Sequence, residues 1–336
     1  MSRKYWYQRR DDTPFQRSDS GYIEFLPTLR QQEFMIDLHT HTTASDGSVA
    51  PAELVRLAVE CGLEALAITD HDTLEGCDEA ARPAADAGLD LIAGVELSTR
   101  LEPELIDLIR PWSGSRRIPS VHLLGYFLVA DPPPGFRTWI LSQQESRRKR
   151  NDELLKKLRG FGFEITLAEV SKLGGKLTGR PHFAEFLLRK GYVKSRQEAF
   201  DLYLADHAQA AVERDEPRLL EGIEVLKRSS AMPVLAHPVR LPVDDKREAF
   251  CALLQALCNA GLQGLEVWHS EHSVEQQALY EDLARSFGLV ATGGSDFHGT
   301  HKPAIGLGTG INGNISIPKA RLEAMRALAG SAGGAG

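Results

Sequence analysis

The chain has 336 residues, of which 42% are hydrophobic, 7% aromatic and 25% charged. This composition is that of a globular protein and excludes a disordered, collagen-like or low-complexity chain. Its net charge of -7 argues against a broad basic surface for nucleic acid or anionic membrane, so a phosphate ligand must be held locally, by a metal ion or a few arginines.

Short apolar runs alternate with helical patterns after a polar segment, residues 1–33, that we predict to be a loosely ordered extension. Seven strands are predicted, at 34–38, 64–69, 89–95, 121–129, 233–236, 264–268 and 289–292. Helical segments lie between most of them. This alternation indicates an α/β fold of parallel strands joined by right-handed crossovers.

Two segments interrupt the alternation. Residues 136–232 are helical and charged, and they are too long for a loop, so we predict an inserted helical subdomain. Residues 99–120 contain four arginines with Pro and Gly and are predicted to be a flexible loop. The barrel then comprises 34–135 and 233–310, and 311–336 form a C-terminal helix and a disordered tail.

Metal-ligand residue types stand at the ends of the predicted strands, with His122 at the start of the fourth. Because the carboxyl ends of parallel barrel strands share one face, these side chains are expected to meet in one pocket. Residues i and i+2 of an extended chain point to the same side, which suits both His-x-His and Asp-x-His. The candidate ligands are His39, His41, Asp46, His71, Glu96, His122, His237, Asp296 and His298.

Nine such groups crowded together without a cation would suffer desolvation and repulsion, and one ion does not need nine ligands. We therefore predict two to three divalent ions. The four cysteines show no Cys-x2-Cys spacing, so nitrogen and oxygen donors favour a catalytic site for Mn²⁺, with Zn²⁺ or Fe²⁺ as alternatives.

Five segments in order, DLHTHTTASDG, ITDHDT, GVELS, VLAHP and GGSDFHG, resemble the motifs of the PHP (polymerase and histidinol phosphatase) family. The resemblance implies a distorted, TIM-like (β/α)7 barrel with an inserted helical subdomain. It also implies three metal positions that share Glu96 between the first two: His39, His41, Glu96 and Asp296; Glu96, His122 and His237; and Asp46, His71 and His298. His122 begins its predicted strand and is separated from Glu96 by 25 residues, so its side chain need not reach the cluster.

The resemblance also implies a substrate. Members with an inserted helical domain are similar to nucleoside 3′,5′-bisphosphate phosphatases and 5′→3′ exoribonucleases. The segment TGRPHF resembles their phosphate-contacting segment, so Arg180 and His182 are expected to bind substrate at a helix N-terminus. His272 is expected to contact substrate or leaving group, and His269 is either a second contact or a structural histidine.

The predicted activity is phosphoester hydrolysis in nucleotides or short RNA by metal-activated water, with Glu96, Asp296, His272 and Arg180 as the catalytic set. Asp70 is expected to orient His71, and Asp72 to cap a helix. The run Arg147–Arg150 is expected to form a solvated helix face; the alternative is that Arg147 and Arg150, three residues apart, share a side that faces a polynucleotide.

Three alternatives remain. A histidinol- or sugar-phosphate phosphatase is separated only by its substrate. An amidohydrolase-type deaminase or amidase is disfavoured because no lysine stands at a predicted strand end, and a non-catalytic metal-binding module because no ligand is missing. No signal peptide or long apolar run is visible, so we expect a cytoplasmic protein without a membrane or obligate protein partner.

Overall fold

A computed structural model describes residues 35–113, 120–173, 177–205, 208–212 and 215–332. The strands are β1 (Met35–Asp37), β2 (Leu63–Ile68), β3 (Asp90–Thr99), β4 (Val121–Phe127), β5 (Met232–Leu235), β6 (Gly264–His269), β7 (Val290–Gly294), β8 (Ile305–Gly306) and β9 (Gly310–Ile311). The α-helices are α1 (Pro51–Glu60), α2 (Glu75–Ala87), α3 (Pro103–Ser113), α4 (Pro134–Gly160), α5 (Leu167–Ser171), α6 (Arg180–Arg189), α7 (Arg196–Ala199), α8 (Leu219–Arg228), α9 (Arg247–Ala260), α10 (Val274–Phe287) and α11 (Ala320–Ala332). The predicted extension, residues 1–33, lies outside the described residues.

The first seven strands form one sheet in the order β1 to β7. Its two edges meet through backbone hydrogen bonds from Leu38 N to Gly293 O (3.3 Å) and from His41 N to Phe297 O (2.9 Å). A Cβ atom on Gly294 would lie 2.2 Å from His39 N, so only glycine permits this approach. The α/β barrel predicted from the sequence is confirmed.

The expectation that all strands run parallel is wrong for β4, which pairs antiparallel with both β3 and β5. The other neighbouring pairs are parallel. An antiparallel strand starts at the edge where its parallel neighbours end. A residue at the start of β4 therefore lies at the same barrel mouth as the ends of the other strands.

The barrel interior is apolar below this mouth. Ile36, Leu124, Tyr126 and Val234 pack there with residues of the C-terminal segment such as Met325 of α11. A second apolar layer lies between the strands and the helices α3, α8, α9 and α10. With the lower part filled by side chains, polar groups have room only at the mouth.

The segment predicted as a flexible loop, residues 99–120, contains α3. Leu105 and Ile109, four residues apart, are buried in the outer apolar layer, which explains why this stretch is helical. Arg116 and Arg117 lie outside the described residues.

The long helical segment between β4 and β5 has two kinds of core. Phe136 and Ile140 of α4, and Leu219 and Ile223 of α8, pack on the outer layer of the barrel. Residues between them form a separate apolar cluster that includes Leu154, Leu158, Phe183, Leu187, Ala199 and Leu204. The ends of the segment are thus anchored to the barrel, while its middle has a core of its own. Among the described residues, no helix is both long and apolar enough to cross a membrane.

Candidate metal centre

Glu96, on β3, is the hub of the barrel mouth. It is buried, and its Oε2 lies 3.2 Å from His39 Nε2, 3.1 Å from His41 Nε2 and 3.3 Å from His71 Nδ1. Its Oε1 lies 2.7 Å from Nδ1 of His122 and 2.8 Å from Nε2 of His237. One carboxylate therefore faces five imidazoles from four strands: two that follow β1, one that follows β2, one at the start of β4 and one that follows β5.

His122 reaches this hub because β4 is antiparallel. Its strand begins at the mouth, so the separation of 25 residues from Glu96 along the chain does not matter in space. The direction of β4 thus brings His122 to the cluster although it begins its strand. The sequence pattern did not indicate that direction.

Asp296 and Asp46 are the other two carboxylates of the mouth. Asp296 Oδ1 lies 3.3 Å from His41 Nε2 and 3.4 Å from His298 Nδ1. Asp46 Oδ1 lies 3.3 Å from His298 Nε2, and its Oδ2 lies 3.8 Å from His71 Nε2. Among the described residues, four sets of groups lie close enough to hold ions: His39, His41, Glu96 and Asp296; His41, Asp46, His71 and His298; His71, Glu96 and His122; and His39, Glu266 and His269. All nine predicted ligands thus lie in one cluster.

The backbone at the mouth is held in an uncommon conformation. Asp296 has φ 57° and His237 has φ 24°, in the left-handed region that non-glycine residues rarely adopt. Such conformations cost about 1–3 kcal/mol each and persist only where the surroundings enforce them. Here they direct two candidate ligands into the same cluster.

The protonation of the cluster tests whether it fits cations. Among the described residues, neither ring nitrogen of the buried His41 has a hydrogen-bond partner, although Glu96 and Asp296 are near. Burial lowers the pKa of His41, but the nearby carboxylates of Asp296 and Glu96 outweigh it and raise the pKa to about 9. Burial lowers the pKa of His71 to about 3, leaving a neutral ring. Imidazole nitrogens beside ionised carboxylates are the donor set that divalent cations require, and a bound cation would replace the proton on His41.

Glu266, on β6, supports the cluster from behind and was not singled out from the sequence. Its Oε1 accepts a hydrogen bond from His39 Nδ1 (2.8 Å), and its Oε2 accepts one from the backbone N–H of His237 (2.5 Å). The first bond fixes the tautomer of His39 so that Nε2 faces Glu96. The signal in the sequence that could have indicated Glu266 is its position as the one charged residue of the predicted strand 264–268.

Asp70 does not orient His71 as predicted. Its carboxylate accepts hydrogen bonds from Thr42 N (2.7 Å), Thr42 Oγ1 (2.6 Å) and Ser45 Oγ (2.5 Å). These bonds fix the loop that carries Asp46, so Asp70 holds a different candidate ligand from the expected one.

A cleft beside the cluster is walled by arginines. It is lined by Asp46, His71 and His122 on the barrel side, and by Arg147, Arg150 and Arg180 on the side of α4 and α6. Arg147 is 8% and Arg150 is 7% exposed, so the prediction of a solvated face is wrong for these two residues. They lie three residues apart and share the side of α4 that faces the barrel, whereas Arg148 remains exposed.

Asp72 connects this arginine wall to the barrel instead of capping a helix. Its Oδ2 pairs with Arg147 Nη2, and its Oδ1 accepts a hydrogen bond from Ser98 N (3.0 Å). Its backbone carbonyl accepts a hydrogen bond from Gln144 Nε2 (3.1 Å). Asp72 follows His71 directly, so α4 is tied to the chain next to a candidate ligand.

The TGRPHF segment begins α6 at the same cleft. Gly179 is the N-cap residue, and its N–H donates to His182 Nδ1 (2.8 Å). That bond leaves the proton of a neutral His182 on Nε2, which is buried and has no hydrogen-bond partner among the described residues. The structure therefore places Arg180 in the cleft and an unused His182 donor close by.

His269 and His272 are buried and are not among the residues that line the cleft. His269 Nδ1 accepts a hydrogen bond from Glu271 N (3.1 Å), and its Nε2 lies 3.4 Å from Asp296 Oδ2. His272 Nδ1 donates to the carbonyl of Val267 (2.7 Å). The structure thus sets His269 behind a candidate ligand and His272 deeper, against Tyr280.

The chain is similar to known proteins in sequence and in fold. The PHP domain model matches residues 37–217. The chain is 31% identical over 262 residues to a 5′-3′ exoribonuclease of Haemophilus influenzae, covering 78% of this chain and 89% of that protein. It is 31% identical over 266 residues to a 3′,5′-nucleoside bisphosphate phosphatase of Chromobacterium violaceum, covering 78% and 87%. A crystal structure of a metal-dependent phosphoesterase from Bifidobacterium adolescentis matches with a TM-score of 0.70 and 29% identity, over 87% of this chain and 96% of that one.

Proposed function

The chain belongs to the PHP family, and on that premise we propose that it is a metal-dependent phosphoesterase of nucleotides. Its substrates are nucleoside 3′,5′-bisphosphates, from which it removes the 3′-phosphate, or short RNAs that it trims from the 5′ end. The observation that carries this proposal is the wall of three arginines beside the ligand cluster. Two neighbouring places for anions suit a substrate with two phosphate groups.

The ligand cluster is proposed to hold two to three divalent ions. Glu96 would be shared between two of them, and Asp46, which lies 3.3 Å from His298 Nε2 and 3.8 Å from His71 Nε2, would hold a third with these two histidines. When bound, the ions would supply an acidified water and positive charge at the scissile phosphate. Nitrogen and oxygen donors suit Mn²⁺, Zn²⁺ and Fe²⁺, of which we propose Mn²⁺.

The arginine wall is proposed to bind the 5′-phosphate. Guanidinium groups bind phosphate bidentately, and here two of them are almost fully buried, where their charge is weakly screened. The N-terminus of α6, which begins with Arg180, adds the positive end of a helix. The buried Nε2–H of His182 is proposed as a further donor to the substrate.

This arrangement gives each part of the chain a distinct task. The barrel mouth holds the ions and the scissile group, while α4 and α6 hold the far phosphate and so fix the distance between the two. A substrate with one phosphate would lose the contacts of the wall and bind more weakly. His269 and His272 stay predicted substrate contacts, although neither lines the cleft. The cytoplasm remains the proposed compartment.

The test is a panel of substrates with Mn²⁺: adenosine 3′,5′-bisphosphate, a 5′-phosphorylated RNA trinucleotide, AMP, histidinol phosphate and a sugar phosphate. We expect release of phosphate from the bisphosphate or of mononucleotides from the RNA, with kcat/KM at least about tenfold above the monophosphates, since charged hydrogen bonds contribute roughly 1.5–3 kcal/mol. Preference for histidinol or sugar phosphate would overturn the nucleotide assignment, and full turnover after chelation would overturn the metal dependence.

A further inference from the structure

The two oxygens of Asp296 face different surroundings. Its Oδ1 points to imidazoles of the ligand cluster, His41 and His298. Its Oδ2 accepts hydrogen bonds from Lys302 Nζ (2.7 Å) and Arg240 Nη2 (3.0 Å). No lysine was expected near the strand ends, but Lys302 reaches the cluster from the turn after β7. Two positive charges thus converge on one oxygen of a candidate metal ligand.

Arg240 is fixed in this position by a second partner. Its Nε and Nη2 donate to Glu271 at 3.0 and 2.8 Å, in a bidentate pair that spans the loops after β5 and β6. The guanidinium would therefore stay in place if Asp296 turned toward a cation. The side chains of Arg240 and Lys302 are 33% and 34% exposed, so both are within reach of a ligand from solvent.

These two cations are separate from the arginine wall. Arg240 follows β5 and Lys302 follows β7, whereas the cleft is lined by residues that follow β1 and β2, by Ser98 of β3 and by the start of β4. In a closed barrel with the strand order β1 to β7, Arg240 and Lys302 therefore stand on loops of the mouth that do not line the cleft. The ligand cluster thus borders two cationic groups.

The charge at this second group depends on what Asp296 binds. Without a cation, the two positive charges are balanced by Asp296 and Glu271. A divalent ion on Oδ1 takes up much of the charge of Asp296 and leaves Arg240 and Lys302 with Glu271 alone. An anion beside them then restores the balance.

We propose that Arg240 and Lys302 form a second phosphate subsite, which binds the phosphate on the 3′ side of the scissile group in an oligonucleotide. This inference rests on the proposed function and makes it more specific. With the 5′-phosphate at the arginine wall and the scissile group at the ligand cluster, the remaining RNA leaves over Arg240 and Lys302. A nucleoside bisphosphate ends at the cluster and does not reach this subsite.

The test compares two ligands that differ by one nucleotide, which carries this phosphate. They are a 5′-phosphorylated dinucleotide and trinucleotide whose first linkage is a non-hydrolysable methylene phosphonate, with binding measured by calorimetry on the Mn²⁺-loaded protein. We expect the native protein to bind the trinucleotide about fivefold more tightly, the advantage expected of one partly exposed charge contact. In K302Q this advantage falls toward one, and in K302R it is kept.

Salt dependence identifies the contact as a phosphate contact. The slope of log affinity for the trinucleotide against log salt should fall by roughly 0.7 in K302Q, the value for one phosphate contact on a single strand. K246Q removes a lysine that pairs with Asp245 and is the matched control, for which no change in the slope is expected.

Two results would overturn the inference: an unchanged trinucleotide advantage in K302Q, or an equal loss for both ligands together with a lower manganese content. The second result would mean that Lys302 only positions Asp296. Absence of turnover on every phosphorylated substrate would instead reject the proposed function, and the binding comparison would still decide the subsite.

Discussion

The barrel mouth and the arginine wall are built in different ways. The candidate metal ligands stand on or next to strand ends, where the barrel topology brings them together and neighbouring groups such as Glu266 and Asp70 orient them or their loops. The arginines stand on α4 and α6, whose packing depends on a separate apolar cluster. The ion site therefore follows from chain topology, whereas the phosphate site follows from how the inserted helices pack on the barrel.

One residue joins the two regions. Asp72 lies beside His71 and pairs with Arg147, with φ 50° in the left-handed region. Aspartate and asparagine tolerate this conformation better than other non-glycine residues. The position of the arginine wall relative to the ligand cluster therefore depends on a short, buried and conformationally constrained connection.

The largest effect is expected when the charge of Glu96, the hub of the barrel mouth, is removed. E96Q keeps the size of the side chain but removes the charge that five imidazoles share. We expect a loss in kcat/KM on the order of 10³-fold or more, as for other preorganised charges, and a lower metal content by elemental analysis. The free energy of substrate binding to the arginine wall should change much less.

The matched control for this variant is E248Q, an exposed glutamate on α9. It should retain metal and activity. A metal content in E96Q equal to that of the native protein would contradict the assignment of Glu96 as a shared ligand.

Cutting the connection between the regions is the next largest perturbation. D72N preserves the left-handed backbone and the acceptor for Ser98 N, but it leaves the buried Arg147 without its counter-charge. Breaking a buried ion pair from one side costs about 3–5 kcal/mol, so the free energy of unfolding should fall by about that amount in denaturant titrations. KM should rise while the metal content stays normal, because no candidate ligand is removed.

An unchanged KM in folded D72N would show that the arginine wall keeps its place without this tie. R137Q, which removes an exposed pair between α4 and Asp78, provides the control. It should cost less than about 1 kcal/mol, as exposed pairs do.

The same contrast explains what the sequence could predict. Ligand-type residues at the ends of five predicted strands were sufficient to gather His39, Glu96 and Asp296 into one site, because any barrel brings strand ends together. The direction of β4 was not predictable from the apolar pattern, which looks alike for parallel and antiparallel strands with two covered faces. For this reason the reach of His122 stayed in doubt.

The arginine wall was only partly predictable, since a charge run on a helix gives no sign of which side packs inward. Charge runs on helices are usually solvated, which is why a solvated face is predicted for Arg147 and Arg150. Asp72, which pairs with Arg147, and the barrel residues that line the cleft come from distant parts of the chain. Arg180 was found only because its neighbours form a motif. The sequence does not predict that Lys302 and Arg240 contact Asp296, because these contacts depend on loop conformation.

Removing Arg180 tests the proposed binding of the 5′-phosphate by the arginine wall. R180Q should raise KM for adenosine 3′,5′-bisphosphate roughly 10- to 100-fold with kcat changed by less than about threefold, because a charged hydrogen bond to bound phosphate is worth roughly 1.5–3 kcal/mol. Steady-state kinetics on the bisphosphate measure both constants. R189Q, at the exposed end of the same helix, should leave both constants unchanged. A fall in kcat alone would place Arg180 with the scissile group instead.

The smallest expected effect tests the inserted helices by pH. Burial lowers the pKa of His182 to about 4 from an ordinary value of 6.5, so the unfolded chain takes up a proton before the folded one does. The neutral ring therefore contributes stability that is complete above about pH 6.5 and is lost as the pH falls toward 4. Between pH 7 and pH 5.5 this loss is about 1 kcal/mol.

H182N keeps an acceptor for Gly179 N but has no titrating group, so its free energy of unfolding should fall by about 1 kcal/mol less than that of the native protein over the same pH range. Denaturant titrations at the two pH values in the presence of chelator give this difference, in which the titrations of the other histidines cancel. Equal losses in both proteins would mean that the proton finds a partner near His182. That partner would be a hydrogen-bond acceptor of the protein, beside the ring nitrogen that the proposal assigns to the substrate. The loss of stability at low pH would then come from the barrel mouth alone.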